Sequence, residues 1–326
     1  MQKRRFGRTE LEVSELVFGG GWVGGLLIHQ SDEIKVKAVR RALDAGINFI
    51  DTASSYGDGQ SEEALGWILN EVDQTPYLAT KFRLDLAKLD DLGGQIERSL
   101  EASLKRLQRD NVDLVQLHNR IGPTSDEAMI GLDHVLGEHG VADILDRLRE
   151  AGVTKFTGIT GLGQSSAVKQ VIESDRFDSA QIYYNMLNPS AGQVMPAGWS
   201  GHNLGPLIEA CKAHDVAVMN IRVLASGALA TDERHGREIQ IIPDADLPLE
   251  ARRAKAVFDK LGDQYGTRAQ TALRFSLANP DLSCIVVGMA ELDHLEQAIA
   301  AADKGPIPAE GLSDLAALYG TNFGAA

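Results

Sequence analysis

The amino-acid sequence predicts an α/β protein folded as a single closed (β/α)8 TIM barrel, and three observations carry that prediction. Short β-branched runs alternate with longer helical patterns along the chain, eight of each, which is the pattern of a parallel sheet covered by helices and closed on itself. The 326 residues suit one such barrel. At roughly 150 residues per domain length alone would suggest two, but no linker, low-complexity tract or internal repeat divides residues 1–326. Three connections, residues 119–136, 186–203 and 224–250, exceed what a minimal barrel needs. Each follows a predicted strand, on the C-terminal face where barrel active sites lie.

Taken in order, residues 4–13 read as an N-terminal β-hairpin with Gly7 in its turn, placed as a lid over the barrel's bottom. Strands are predicted at 15–18, 47–50, 77–80, 112–117, 155–159, 179–184, 216–221 and 284–287, each a short run bounded by turn or polar residues. Helices are predicted at 34–45, 61–70, 92–107, 143–151, 166–174, 204–214, 267–278 and 292–301. Gly46 and Gly152 stand where two of these helices should stop. Ser61 followed by Glu62 and Glu63 supplies an N-cap with acids in the first turn, where they favour the helix dipole.

Hydrophobic residues make up 44% and charged residues 24% of the chain, enough for a large core in a soluble protein. A net charge of −14, against a single short basic cluster at Lys3-Arg4-Arg5, excludes nucleic acid as the default partner. Cys211 and Cys284 lack any CxxC spacing, so neither a disulfide framework nor a metal site is expected. Residues 1–15 contain no apolar leader and the longest apolar run, 16–28, is too short to span a bilayer. The expectation is a soluble cytoplasmic protein acting on a small molecule; the oligomeric state is open.

Catalytic residues of a barrel stand at the C-terminal ends of its strands. Asp51 follows the second predicted strand, Lys81 the third and His118 the fourth, with Tyr56 in the loop after Asp51. A phenol ordinarily titrates near pH 10, so donating a proton near neutrality needs roughly 4 kcal/mol of help, which a nearby ammonium in a dry pocket supplies. Lys81 is the candidate ammonium, Asp51 its partner, and His118 a hydrogen-bonding group for a carbonyl or hydroxyl oxygen. Separately these are a turn acid, a surface tyrosine, a solvated lysine and a loop histidine; their order at successive strand ends joins them. Trp22, Arg120, Tyr184, Trp199 and His202 lie in or beside the mouth loops and, with Tyr56 and His118, would line a polar-aromatic substrate pocket. Two other functions compete: a lyase forming a Schiff base on Lys81, and a cofactor-binding regulatory subunit.

At these residues the sequence resembles the aldo-keto reductase family. The likeness rests on Gly46-Ile-Asn-Phe-Ile-Asp51-Thr-Ala-Ser-Ser-Tyr56-Gly57 with Ser61-Glu62, on Ala79-Thr-Lys81-Phe, and on Val112-Asp-Leu-Val-Gln-Leu-His118. The opening segments Arg8-Thr-Glu-Leu-Glu-Val-Ser14 and Phe18-Gly-Gly-Gly-Trp22 match as well. The resemblance implies a barrel that binds NAD(P)(H) in extended form without a Rossmann motif, and hydride transfer between nicotinamide and a carbonyl or alcohol. Tyr56 would be general acid/base, Asp51 and Lys81 its tuners, and His118 the orienting group. Cofactor contacts would come from Gly20, Gly21, Trp22 and Asp51, and from Thr160, Gly161 and Gln181 at the carboxamide. Further contacts would come from Ile221, Arg222, Leu224, Ser226 and Gly227, and from Gly288, Met289, Ala290, His294 and Gln297.

The chain departs from the family pattern in three places. Thr160-Gly161 replaces a common Ser-Asn pair and so drops a side-chain amide. Ile221 stands where many members place an aromatic that would stack on nicotinamide. Ala290 and Glu291 stand where a basic residue often meets the 2′-phosphate. NADP(H) is the family default, but a carboxylate there would repel that phosphate, and NAD(H) is expected to serve at least as well. The alternative is that Glu291 is only a first-turn helix acid. Gly158-Ile-Thr-Gly-Leu162 is similar to the branch that oxidises aldoses such as galactose or fucose, so an NAD-dependent aldose 1-dehydrogenase stands beside a reductase of aldehydes or ketones.

Overall fold

In the computed structural model, which describes residues 1–233, 236–239, 241–242 and 246–324, eight parallel strands close into a barrel in chain order. The strands are β1 (Lys3–Arg5), β2 (Glu12–Ser14), β3 (Leu16–Gly19), β4 (Phe49–Asp51), β5 (Tyr77–Phe82), β6 (Val112–Leu117), β7 (Arg120–Gly122), β8 (Met129–Gly131), β9 (Thr154–Thr160), β10 (Ser179–Tyr183), β11 (Ala217–Ile221) and β12 (Cys284–Gly288). The helices are α1 (Leu26–His29), α2 (Asp32–Asp44), α3 (Gln60–Ile68), α4 (Leu92–Leu107), α5 (Leu132–Leu136), α6 (Val141–Glu150), α7 (Ser165–Glu173), α8 (Leu207–Ala213), α9 (Leu247–Leu261), α10 (Arg268–Leu277), α11 (Leu292–Lys304) and α12 (Ala309–Gly320). The barrel runs β3-β4-β5-β6-β9-β10-β11-β12 and closes from β12 back to β3; β1 pairs with β2 and β7 with β8 outside it.

The eight predicted strands and helices are therefore present, and the structure corrects several details. Four helices, α1, α5, α9 and α12, are additional. The predicted 224–250 loop ends at α9, because Pro248 lies in the first turn, where a missing N–H costs nothing. Parts of that loop, residues 234, 235, 240 and 243–245, lie outside the described residues. The predicted 204–214 helix starts later, at Leu207, since Gly205 holds φ +65° and Pro206 precedes the first turn. Ser61 is not an N-cap: Gly59, at φ +95°, occupies that place and leaves Ser61 inside α3.

The barrel interior changes character along its axis. At the bottom, Val17, Phe49, Ala79, Leu114, Ala217, Met219 and Cys284 pack together beneath Phe6 and Val13 of the hairpin, which closes that end as expected. The Gly7 turn fits against β11 so closely that a Cβ on Gly7 would lie 2.5 Å from the Ala217 nitrogen. Side chains alternate in a strand, so two residues onward the same inward face reappears. Phe49 leads to Asp51, Ala79 to Lys81, Leu114 to Gln116 and Ser179 to Gln181, and all four of those polar residues are buried. A larger apolar core fills the space between barrel and helices. Among the described residues no helix is long and apolar enough to cross a membrane, and no group of His, Cys, Asp and Glu is arranged to hold a metal.

Candidate active site

The site is built around a lysine with no solvent exposure. Lys81 Nζ donates to Asp51 Oδ2 at 2.7 Å, to the Thr52 carbonyl at 2.8 Å and to Tyr56 Oη at 3.2 Å, so its three N–H donors are all used. Burial acts to lower the lysine's pKa, but the charge of Asp51, with Tyr56 behind it, outweighs this and the net direction is upward. Lys81 is held as an ammonium.

Asp51 is fixed through both carboxylate oxygens. Its Oδ1 accepts from Gln181 Nε2 at 2.8 Å and from Gln116 Nε2 at 3.2 Å. Gln116, absent from the expected site, was findable: it lies two residues before His118 on the same inward face. Tyr56 is half-buried, with the Lys81 ammonium 4.7 Å from its ring centroid and the His118 ring edge-on at 5.8 Å. Its oxygen accepts from Lys81, and no acceptor among the described residues takes its own proton.

The loop carrying Tyr56 is tied to the strand carrying Lys81. Thr52 N–H donates to the Ala79 carbonyl at 2.9 Å and Ser54 N–H to the Lys81 carbonyl at 3.2 Å. Beneath them the Thr52 and Ser61 hydroxyls meet at 2.8 Å, and fully buried Glu62 accepts from Thr80 and from Arg106 Nε at 2.7 Å. Ser61 and Glu62 thus brace β4 and β5 rather than cap a helix.

His118 Nδ1 lies 3.4 Å from Ser55 Oγ, and its backbone N–H donates to Phe82 at 2.9 Å. Burial, then the charges of Lys81 and Arg83, push its imidazole down to about 3, so it is neutral near neutrality. The unfolded imidazole, titrating near 6.5, binds a proton that the folded one refuses until about 3, so stability is lost as pH falls through that window. At about pH 4.5 the effect is roughly 3 kcal/mol. His118→Asn removes the titrating ring, and urea unfolding near pH 7 and pH 4.5 should show the variant losing less stability than wild type on acidification. Parallel losses would refute the assignment.

The remaining expected residues fall into place unevenly. Gly20 accepts no side chain, because a Cβ would lie 2.5 Å from Ser61 Oγ, whereas a Cβ on Gly21 would lie 3.9 Å from Tyr56 Cζ, in ordinary contact with the ring. Trp22 is 37% exposed, edge-on to His29. Thr160 Oγ1 donates to the Leu117 carbonyl at 3.2 Å and Gly161 N–H to the Gln181 carbonyl at 2.8 Å. One N–H of Gln181 Nε2 is thus given to Asp51, and the Thr160 hydroxyl is given to a backbone carbonyl.

Beyond Ile221, Arg222 sits at φ +62° and donates to Ser226 Oγ and, at 2.7 Å, to the Ile239 carbonyl. Burial lowers its pKa. Leu224 precedes a single turn, Ala225–Gly227. Met289 is buried against Gly24. Ala290 N–H donates to His294 Nδ1 at 3.2 Å, and Gln297 accepts from Thr267 at 3.0 Å.

Two substrate expectations need correction. Tyr184 is 6% exposed and stacks on Phe275 at 5.2 Å, because β10 turns Tyr183 inward and its neighbour outward toward α10. Trp199 packs against Tyr319 and Phe323 and beneath Arg253, at the end of α12, away from Asp51, Tyr56, Lys81 and His118. Arg120 donates to the Ile241 carbonyl at 3.2 Å, and the His202 carbonyl accepts from Asn188.

A phenol held by a buried ammonium, beside a neutral imidazole at the open end of a barrel, is an arrangement for acid–base chemistry at a carbonyl. The Aldo/keto reductase family model matches residues 15–319, and the chain belongs to that family of NAD(P)-dependent oxidoreductases. It is similar to L-galactose dehydrogenase of Arabidopsis thaliana, 28% identical over 308 residues, 92% of this chain and 88% of that one. It is similar also to D-threo-aldose 1-dehydrogenase of a Pseudomonas species, 29% identical over 265 residues, 72% of this chain and 74% of that one. The holo form of an aldo-keto reductase from Bacillus halodurans shares the fold, with a TM-score of 0.74 over 98% of this chain and 96% of that one at 23% identity.

Proposed function

We propose that the protein moves a hydride between a nicotinamide dinucleotide and a carbonyl, alcohol or sugar hemiacetal, with Tyr56 giving the proton in reduction and taking it in oxidation. The observation that carries this reading is the Tyr56 oxygen, which accepts from a fully bonded ammonium while its own proton has no acceptor among the described residues. As that proton leaves, Lys81 stabilises the phenolate, and Asp51, gripped by Gln116 and Gln181, keeps Lys81 charged and in place. Neutral His118 donates a hydrogen bond to the substrate oxygen and orients it. The dinucleotide, when bound, supplies or accepts the hydride. A Schiff-base role for Lys81 is disfavoured, since such chemistry needs a free, neutral amine and this one is charged with every N–H engaged.

The residues present fit a dinucleotide. Gly227 and Gly288 have open space where a side chain would stand, which lets backbone approach a pyrophosphate, and half-buried Arg222, bonded to Ser226 in the same turn as Gly227, adds positive charge. Toward the carboxamide, Gln181 retains its oxygen and the second N–H of its amide, the first being held by Asp51. Around the adenosine ribose, His294 Nδ1 accepts a backbone N–H, so it presents no second donor there, while Glu291 is exposed and makes no helix-capping bond. NAD(H) should therefore give a kcat/KM at least equal to that with NADP(H), and a strong NADP(H) preference would sink the idea.

An aldose is the favoured substrate class, on the sugar dehydrogenases named above and on exposed Trp22, an aromatic face that directly follows Gly21, the residue set against the Tyr56 ring. The test is a panel of aldoses, simple aldehydes and ketones, run in both directions and followed at the reduced-nicotinamide absorbance band. Absence of turnover across that panel, with dinucleotide bound, would favour the regulatory-subunit reading.

A further inference from the structure

Resting on the hydride-transfer reading, we propose that Arg83 docks an anionic group, a carboxylate or phosphate, carried by the substrate at a distance from its reacting carbon. Arg83 is two residues past Lys81, on the side of the strand that leads into the mouth. Its backbone is held on both flanks. The Phe82 carbonyl accepts from His118 N–H at 2.9 Å, and the buried Asn119 carboxamide binds Leu84 twice, accepting at 2.8 Å and donating at 3.0 Å. Arg83 therefore springs from a backbone fixed on both sides and tied through Phe82 to His118, the residue that orients the substrate oxygen, and its charge reaches that ring.

The arginine is exposed, and among the described residues nothing pairs with it by ion pair or hydrogen bond. Arg147 of α6 and Arg252 of α9 also lack a pairing group among the described residues, but of the three Arg83 is the one that follows a barrel strand. Arg5, Arg41, Arg98 and Arg176 are each held by carboxylates. The nearest acid in sequence, Asp85, is committed elsewhere, to Ala87 N–H at 3.1 Å and Lys88 at 3.2 Å. A planar guanidinium left open beside the catalytic group offers a bidentate site for an oxyanion. The substrate class is thereby narrowed to carbonyl compounds or hemiacetals bearing an acid: a uronate, an oxo-acid or a sugar phosphate.

Wild type and Arg83→Leu are compared on galactose, galacturonate and galactose 6-phosphate, and on butanal and 4-oxobutanoate, with both dinucleotides. The expected result is a kcat/KM favouring at least one anionic member over its neutral counterpart. Arg83→Leu should then cut that ratio by about ten-fold or more, mainly through KM, with Arg83→Lys recovering part of it. The two anionic sugars separate a carboxylate site from a phosphate site. A ratio that Arg83→Leu leaves unchanged overturns the proposal. Malonate binding, read from the His118 ring signals by NMR, is independent of turnover. The ring should respond in wild type and not in Arg83→Leu, and silence in wild type overturns the proposal too. A malonate response without hydride transfer on any substrate would strike at the reaction and leave the anion site standing.

Discussion

Tyr56→Phe should lower kcat by about 10²–10⁴-fold while dinucleotide binding is retained. Among the described residues the phenol makes one hydrogen bond, accepted from Lys81, and its own proton has no acceptor. Phenylalanine keeps the ring packed edge-on to His118 and loses only that oxygen. Lys81 retains Asp51 and the Thr52 carbonyl, so the ammonium stays bonded and the fold should be little affected. Turnover is read from nicotinamide absorbance and binding from quenching of intrinsic fluorescence. If kcat stays within about ten-fold of wild type, another group moves the proton and the assignment of Tyr56 fails.

The variant isolates chemistry from architecture because the site and the fold share one device, the two-residue period of the inward face. Asp51 and Lys81 were legible as strand ends, and the period explains their place: each stands one step above an apolar interior residue, Phe49 and Ala79. Applied further, it would have found Gln116 above Leu114, and it would have rejected Tyr184, whose neighbour Tyr183 takes the inward place. Reading only strand ends missed the layer beneath them. What sequence could not disclose was pairing across the barrel. Nothing local tells that Gln181, 130 positions from Asp51, spends its amide on that carboxylate. The braces under the site were hidden for a similar reason: Ser61 and Glu62 look like a helix start until Gly59 takes the cap and Arg106 of α4 reaches Glu62. Helix α9 escaped because Pro248 reads as a breaker, yet it sits where proline is tolerated.

The Asp51–Lys81 pair should separate stability from activity most sharply. Both side chains are buried, and Asp51→Asn leaves the ammonium with no carboxylate partner, a change expected to cost about 3–5 kcal/mol. The direction of the Lys81 pKa then reverses, because Asp51 is the leading influence opposing burial, and the amine should lose its proton. Lys81→Met should cost less, since the carboxylate keeps its bonds from Gln116 and Gln181. The double variant carries no buried charge at this place and should regain much of the stability that Asp51→Asn loses, as replacing both partners of a buried pair often does. None of the three should regain turnover, because each lacks a charged ammonium beside Tyr56. Urea unfolding near pH 7 provides the stabilities and nicotinamide absorbance the rates. An Asp51→Asn stability within about 1 kcal/mol of wild type would mean that the amides and the Thr52 carbonyl hold Lys81 without its counter-charge, and the electrostatic account of the site would fall.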